Sequence, residues 1–517
     1  MVSRQKTRDR RQKTRDMEDN IFKFRANPLE QFLQKSSKEF TRDDIVRFVA
    51  GNGIKMLNFR YVAEDGKLKI LNFSIHSLEY LEAILSTGER VDGSSLFSYI
   101  EASSSDLYVI PRFSTAYVNP FSIVPTLDIL CSFYTSEGLP LATAPEYILR
   151  KAHRLFKERT GFTFKAMGEL EYYVQGKKEE LYPAEDQKGY HSASPFSNYE
   201  FIRLEAMDLI ARCGGRIKYG HSEVGNFNTD AESFEQHEIE FLPVEVEDAV
   251  DQLVLAKWIL RQLGEKYAVN ISFAPKITVG KAGSGLHVHM YLEKDGRNMM
   301  VEENRLSDTA KRMIAGLMDL AGALTAFGNT IPTSYLRLVP HQEAPTNICW
   351  GDRNRSVLVR VPLGWLGDKN MVSDANPQDS NLLYQGVSKQ TIEIRSPDGS
   401  ADLYHLFAGL VVASLHGLEM ADGLLRAENL YVDVNIFRSE NKHRLDMLEK
   451  LPDCCYGSAS LLQRRRDVFE KDSVFPARTI DSFISKLRSY GDQGLSERLY
   501  GKTDEIRTLV YKYLHHM

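Results

Sequence analysis

Arginines crowd around one glutamate in the third quarter of the chain. RLVPHQEAP at 337–345 places Glu343 after Arg337, and RNRSVLVR at 353–360 follows with three more arginines. A fold seldom needs so many forked, permanently charged guanidinium groups in one stretch unless an anion lies among them. These segments therefore predict a binding site for phosphate, carboxylate or both.

Charged residues alternate with apolar ones in four further segments: GELEYYV (168–174), QHEIEF (236–241), GSGLHVHMYL (283–292) and QTIEIRSPD (390–398). Residues two apart on a strand point to the same face of a sheet, so each segment would project its charged residues together. The pairs are Glu169 with Glu171, His287 with His289, and Glu393 with Arg395. Any one pair is typical of a half-buried strand, but together they predict several strands that line one polar cavity.

The residue types in these pairs indicate which metal such a cavity would bind. Carboxylates with few imidazoles suit Mg²⁺ or Mn²⁺ better than zinc, and no cysteine lies at ligand spacing near them. Divalent cations beside arginines are typical of phosphoryl transfer, in which catalysis consists largely of positioning and charge neutralisation.

Composition excludes several other classes of protein. The 517 residues are 43% hydrophobic and 26% charged, which is ordinary for a globular chain. A net charge of −5 gives no general case for nucleic-acid binding. No apolar run reaches the ~20 residues that span a bilayer, so no membrane association is expected, and the apolar stretch at 406–418 predicts a buried helix.

The five cysteines form no CxxC pair and are odd in number. Together with the lack of a signal peptide, this pattern predicts a cytoplasmic protein in a reducing compartment.

Three regions and an α+β fold are predicted along the chain. RQKTRD at 4–9 recurs at 11–16, so residues 1–19 are interpreted as a basic disordered tail, either a functional arm or the product of a start codon upstream of Met17. Short strand-like runs between turns predict a small mixed-sheet domain over 20–140. A helical pattern at 144–161 opens the remaining region, 141–517, which alternates strands and helices and becomes mainly helical after about 440.

The motifs occur in a fixed order: VDGSSLFSYIEASSSD at 91–106, GELEYYV, KGYHSAS at 188–194, HSEV at 221–224, QHEIEF, GSGLHVH, RLVPHQEAP, RNRSVLVRVP and IEIRSPD. In this order they resemble the glutamine synthetase family, in a divergent form of its bacterial type I, from about residue 90 to 420. The resemblance implies a β-grasp-like N-terminal domain and a large catalytic domain with a curved antiparallel sheet and helices. It also implies a homo-oligomer of stacked hexameric rings.

The resemblance implies two or more Mg²⁺ or Mn²⁺ ions in each active site. One metal site would use Glu171, Glu223 and Glu238. The other would use Glu169, His287 and Glu393. These carboxylates and this imidazole include the alternating residues that strand geometry already singles out.

The same resemblance implies roles for the remaining motif residues. The substrate's carboxylates would contact Arg337 and Arg395, with the backbone of Gly283 close by. Phosphate groups would contact Arg355, Arg360 and His289. Ammonium would bind at Asp92, Ser95 and Tyr190, and Glu343 would close the site against water; Asp92 and its neighbours would serve the active site of the adjacent subunit.

The implied reaction uses ATP to convert the γ-carboxylate of glutamate into γ-glutamyl phosphate, which ammonia attacks to give glutamine. Three positions depart from the family pattern and affect how far the substrate can be assigned. Ala282 stands where an Asn is usual, Tyr291 where a serine is common, and Lys218 where a carboxylate is common. A γ-glutamyl ligase for a larger amine, of the polyamine type, and a catalytically silent ring-forming homologue therefore remain alternatives.

Overall fold

The computed structural model describes residues 22–178, 181–339, 344–362, 371–379, 389–434 and 448–516. The basic tail expected over 1–19 lies outside these residues.

The N-terminal part is a six-stranded sheet of order β2-β1-β6-β4-β3, with β5 beside β6. Its elements are α1 (Pro28–Leu33), α2 (Arg42–Gly51), β1 (Met56–Val62), β2 (Leu68–Ser74), α3 (Leu78–Thr87), β3 (Glu89–Asp92), β4 (Asp106–Pro111), β5 (Tyr117–Val118) and β6 (Thr126–Thr135). The first eight residues of β6 are buried, because this strand lies between parallel β1 and antiparallel β4. The mixed sheet that the strand-like runs predict in this region is confirmed, with β1, β2, β4 and β6 as its longer strands.

The larger part is built on an eleven-stranded sheet whose main order is β17-β18-β19-β13-β7-β10-β8. Its strands are β7 (Thr163–Lys177), β8 (Ile217–Ser222), β9 (Phe227–Asn228), β10 (Glu232–Phe241), β11 (Val244–Glu245), β12 (Asn270–Ser272), β13 (Leu286–Lys294), β14 (Arg297–Asn298), β17 (Trp350–Asp352), β18 (Val359–Val361) and β19 (Ile392–Ile394). A separate hairpin joins β15 (Val301–Glu302) to β16 (Arg305–Leu306). Neighbours along the main order run antiparallel, except for β17 and β18.

Helices cover this sheet and form the C-terminal region. They are α4 (Pro145–Thr160), α5 (Glu200–Arg212), α6 (Val246–Lys266), α7 (Asp308–Gly328), α8 (Ser334–Arg337), α9 (Met371–Ala375), α10 (Leu403–Glu419), α11 (Gly423–Asn429), α12 (Cys455–Arg464), α13 (Arg466–Glu470), α14 (Ala477–Ser489), α15 (Leu495–Arg498) and α16 (Thr503–Tyr513). The helix expected to stop at Gly161 does so, since this glycine caps α4 with a φ of 70° that favours glycine.

The apolar stretch at 406–418 is confirmed as a buried helix, because it forms most of α10 and packs against α7 and α4. Within the described residues, no single helix is long and apolar enough to cross a membrane. Helices α10 and α11 meet that criterion only together, and they are bent by 108° relative to each other.

A buried ion pair joins the N-terminal sheet to the larger part. Arg112, directly after β4, donates to both carboxylate oxygens of Asp251 on α6, at 2.7 and 3.0 Å. The hydroxyl of Tyr404 on α10 donates to the same carboxylate at 2.6 Å. Bidentate geometry with a third donor fixes the relative orientation of the elements involved.

Lys257 is a buried cation on α6 close to this junction. Its Nζ donates to the carbonyl oxygen of Gly399 at 2.8 Å and lies 5.3 Å from the ring centre of Phe273. Burial and, to a smaller extent, the nearby Arg261 together lower the pKa of Lys257 from its ordinary value of 10.5 to about 7. The folded protein therefore disfavours the charged lysine.

Stability is expected to rise with pH because of this lysine. Between pH 7 and 10.5 the unfolded chain binds the Lys257 proton more tightly than the folded chain does, so the free energy of unfolding increases with pH in that window. Chemical denaturation of wild type and Lys257→Met should show wild type gaining about 1.4 kcal/mol per pH unit relative to the variant. A difference that stays constant from pH 7 to 9.5 would contradict the lowered pKa.

Candidate active site

Cross-strand pairing brings the alternating charged residues into adjacent positions on the sheet. Glu169 on β7 lies opposite His287 on β13 and opposite Glu240 on β10. Two residues before Glu240 on the same strand, Glu238 lies between Glu171 on β7 and His221 on β8. Opposite residues in an antiparallel pair have Cβ atoms about 5 Å apart, so strand register alone gathers these ligands.

The other edge of the site comes from two short strands. Glu393 in β19 lies opposite His289 in β13 and opposite Arg360 in β18. The site thus spans six consecutive strands, from β8 to β18.

The strands line a cavity of about 730 Å³. Residues expected in the site that line it are Glu169, Glu171, Tyr190, Glu223, Glu238, Gly283, His287, His289, Arg337, Arg355, Arg360, Glu393 and Arg395. Glu343 lies outside the described residues. Asp92 and Ser95 do not line this cavity in the part of the chain that the structure describes.

Glu169 is the centre of one group of ligands. One carboxylate oxygen lies 2.9 Å from Nδ1 of His287 and the other 2.9 Å from Nε2 of His289. Burial acts to raise the pKa of Glu169, but the two imidazoles hold it well below the usual range. Glu169, His289 and Glu393 offer ligand atoms within 4.8 Å of one another.

A second group forms around Glu238. Nε2 of His221 lies 3.3 Å from the Glu238 carboxylate, and Nδ1 lies 3.7 Å from that of Glu223. Burial raises the pKa of Glu238 well above its ordinary value, and repulsion from Glu169, Glu171 and other carboxylates adds to this effect. The folded protein therefore disfavours the ionised form of Glu238.

The resemblance implies that Glu171 binds a metal together with Glu223 and Glu238, but its hydrogen-bond partners in the structure are other groups. Its Oε2 accepts from the backbone N–H of Gly285 at 2.8 Å and from Nε2 of Gln236 at 3.0 Å. The close three-residue group instead contains His221 with Glu223 and Glu238. One oxygen of Glu171 still faces His287 at 3.9 Å, so it remains beside the cavity.

Four arginines line the cavity beside the carboxylates. Glu393 contacts Arg360 Nη1 at 2.9 Å and Arg395 Nε at 3.1 Å. Arg395 also donates to the carbonyl oxygen of Arg355. Arg337 is buried, and its Nη1 donates to the carbonyl oxygen of Ser396 at 2.9 Å. These contacts hold the guanidinium groups at the cavity, where they lie close enough to contact a bound anion.

Asp92 lies on the N-terminal sheet in a tight local network. Its carboxylate accepts from the backbone N–H and hydroxyl of Ser94, at 3.0 and 2.7 Å, and from the hydroxyl of Ser95 at 2.7 Å. The bonds from Ser94 and then Ser95 lower the pKa of Asp92, so it is ionised at neutral pH. Ser95 lines another cavity, of about 820 Å³, between the N-terminal sheet and the C-terminal helices.

Ala282 keeps its backbone in a defined position although it lacks a polar side chain. Its N–H donates to Oε1 of Gln187 at 2.7 Å, and its carbonyl accepts from the Tyr173 hydroxyl at 2.9 Å. Ala282 lines the main cavity beside Gly283.

Sequence reasoning did not assign three further residues that line the cavity: Lys218, His221 and Glu240. His221 and Glu223 are two residues apart, and so are Glu238 and Glu240, which is the spacing that identified the other pairs. Applying this spacing to HSEV and to the end of QHEIEF would have found both His221 and Glu240. The ion pair between Lys218 and Glu240 has no such signal, because the two residues lie on different strands.

The donor set fits divalent cations of the Mg²⁺ or Mn²⁺ type. Carboxylate oxygens dominate, imidazoles are the minority, and the five cysteines are buried elsewhere as free thiols. Several carboxylates converge around Glu238, where a bound cation would offset their mutual repulsion.

A small sheet domain followed by a curved sheet with a carboxylate- and arginine-lined cavity defines a ligase of the glutamine synthetase type. Residues 142–489 match the family described as glutamine synthetase, catalytic domain, and residues 53–136 match glutamine synthetase, beta-Grasp domain. The chain belongs to the glutamine synthetase family. The expected β-grasp-like and catalytic folds are confirmed.

Individual relatives agree with this assignment. Glutamine synthetase of Clostridium saccharobutylicum is 28% identical over 438 residues, which cover 82% of this chain and 90% of the relative. That of Thermus thermophilus is 28% identical over 397 residues, covering 74% and 80%. The fold is similar to Plasmodium falciparum glutamine synthetase, with a TM-score of 0.71 at 18% identity over 90% of this chain and 97% of that one. An ADP complex of GmaS gives a TM-score of 0.70 at 18% identity over 87% and 96%.

Proposed function

We propose that this protein is an ATP-dependent ligase that forms glutamine from glutamate and ammonia through γ-glutamyl phosphate at a two-cation site. The observation that carries the proposal is the continuous surface across six strands, which brings carboxylates, imidazoles and arginines to one cavity. A carboxylate and ATP repel each other, and this surface supplies the charge that would bring them together.

The cations would be held by two groups of residues. One group is Glu223 and Glu238, with Glu171 or His221 completing it, and the other is Glu169, Glu393 and a histidine. When bound, the cations neutralise phosphate oxygens and bring the nucleotide close to the glutamate γ-carboxylate. Contacts between Glu169 and both histidines keep the imidazole rings oriented toward the cavity.

The arginines would bind the anionic groups of the two substrates. Arg337 and Arg395 bind substrate carboxylates, while Arg355, Arg360 and His289 contact the phosphoryl group during transfer. Ion pairs with Glu393 hold Arg360 and Arg395 in place before substrate arrives, so little reorganisation is needed at the reaction step.

Ammonium would bind at Tyr190 of one subunit and at Asp92 and Ser95 of its neighbour, with Glu343 closing the site. This arrangement rests on the family resemblance and on the place of Asp92 in the structure, outside the lining of the chain's own cavity. The ionised carboxylate of Asp92 would attract the ammonium cation to this position.

Subunit mixing tests the shared site. Asp92→Ala and Glu169→Gln proteins should each be nearly inactive as separate oligomers, because each lacks one half of every site. After dissociation and reassembly together, mixed oligomers should regain a substantial part of the wild-type turnover, since some sites then combine an intact Asp92 with an intact Glu169. Failure of well-assembled mixtures to regain activity would contradict a site shared between subunits.

A γ-glutamyl ligase for a larger amine is the second candidate. Ala282 keeps this candidate open, since the Asn that is usual in the family at this position is absent here and only backbone hydrogen bonds hold the residue. GmaS, a γ-glutamylmethylamide synthetase, shares the fold, so the fold does not distinguish the two candidates.

One assay decides between glutamine formation and ligation of a larger amine. It measures phosphate release from ATP by the purified protein with Mg²⁺ and glutamate. Ammonium, hydroxylamine, methylamine and polyamines are compared, and the product is identified by mass. Ammonium-dependent release with glutamine as product is the expected result. Release only with a larger amine would assign the second candidate, and no release from a well-assembled oligomer would indicate a catalytically silent homologue.

A further inference from the structure

An ion pair inside the cavity has no part in the ligand groups described so far. Lys218 on β8 pairs through its ammonium group with Oε1 of Glu240 on β10. The Glu240 side chain is 2% exposed, whereas that of Lys218 is 40% exposed, so the cation reaches the buried carboxylate from the cavity rim. The Lys218 ammonium also lies 4.9 Å from the ring centre of Tyr219.

Glu240 extends the row of carboxylates beyond those assigned to cations. Glu169, Glu238 and Glu240 offer ligand atoms within 4.8 Å of one another. The second oxygen of Glu240 is buried, and the hydroxyl of Tyr219 also interacts with this carboxylate. Three converging carboxylates repel one another strongly, so this group requires positive charge from some source.

We infer that Lys218 supplies this charge and thereby excludes an additional divalent cation from the group of Glu169, Glu238 and Glu240. An ammonium group is a compact cation that donates up to three hydrogen bonds to carboxylate oxygens. Unlike a metal ion, it does not need a complete set of oxygen ligands around it. A divalent ion at Glu240 would have to displace Lys218 or bind beside it against electrostatic repulsion. Lys218 thus limits the number of ions at the site. The inference rests on the proposed cation-dependent function, because Glu169 and Glu238 also belong to the two proposed sites.

Counting bound Mn²⁺ in the full-length oligomer tests this role directly. Equilibrium dialysis with metal analysis is compared for wild type and Lys218→Met, which keeps most of the side-chain length and removes the charge. The variant should bind about one more Mn²⁺ per subunit than wild type, because the three carboxylates become free to coordinate it. Lys218→Arg retains a cation and should bind the wild-type number.

Two further variants separate this effect from a structural one. Glu240→Gln combined with Lys218→Met removes a carboxylate from the group and should return the count to the wild-type value. Lys266→Met removes an ammonium that pairs with Glu205 at 2.7 Å on the surface, and should leave the count unchanged. Circular dichroism and size-exclusion chromatography confirm that each variant is folded and assembled.

An unchanged count in folded Lys218→Met would overturn the inference, and so would an equal gain in Lys218→Arg. If wild type binds Mn²⁺ and folded Lys218→Met binds the same number of ions, the inference fails while the proposed function stands. If wild type binds no Mn²⁺, the proposed function fails, and the inference that rests on it fails as well, whatever the count in Lys218→Met.

Discussion

Replacing Glu169 with glutamine is expected to reduce kcat/KM for the biosynthetic reaction by about 10³-fold or more. Glutamine keeps the shape of the side chain but removes its negative charge, and Glu169 is the residue that contacts both His287 and His289. The variant should also bind divalent cations more weakly, because this carboxylate belongs to more than one ligand group. Coupled measurement of phosphate release and isothermal titration with Mn²⁺ would report both effects.

Glu293→Gln provides the matched control on β13. Glu293 pairs with Lys165 at 3.8 Å and does not line the main cavity in the described part of the chain. Its replacement should change neither turnover nor Mn²⁺ affinity appreciably, because exposed ion pairs contribute little. Turnover of Glu169→Gln within tenfold of wild type would refute a central role for this carboxylate.

Gly285→Ala is expected to lower kcat/KM by about 10²-fold with the fold retained. A Cβ at this position would lie 2.6 Å from Nη2 of Arg337, 2.9 Å from Nε2 of His287 and 3.2 Å from Oε1 of Glu171. These three groups belong to different parts of the site, so one added methyl group would displace all of them. Steady-state kinetics with glutamate and ATP varied separately, together with thermal unfolding, would measure the effect.

Gly457→Ala is a suitable comparison, since it adds the same methyl group within α12. The nearest atom to the added Cβ would be Cβ of Pro452 at 3.1 Å, and Gly457 does not line the main cavity. Turnover should remain close to that of wild type. Equal losses in the two variants would show that general destabilisation, rather than displacement of Arg337 and His287, causes the effect.

Much of the site could be predicted because its residues lie on strands. Glu169, Glu171 and His287 lie on β7 and β13, where alternation in the sequence translates directly into a shared face. The same reasoning predicted the buried helix α10 and the end of α4 at Gly161, since both depend on short-range patterns.

Contacts that depend on distant segments could not be predicted in this way. The hydrogen bond from Gly285 to Glu171 depends on how the loop before β13 packs against β7, which no local pattern encodes. The pairing of Lys218 with Glu240 depends on the register between β8 and β10, and this register shifts beside Glu240. Strand β19 has only three residues, so the position of Glu393 opposite Arg360 follows from tertiary packing rather than from periodicity.

Strand β7 carries both the ligands and the core at alternating positions. Glu169 and Glu171 face the cavity, while Leu170 and Tyr172 between and beyond them are fully buried. A one-residue insertion or deletion within β7 would exchange these two sets, placing carboxylates in the core and apolar groups in the cavity. Changes of chain length in descendants of this protein should therefore be confined to the connecting loops, and new amine specificities should arise there while β7 keeps its length.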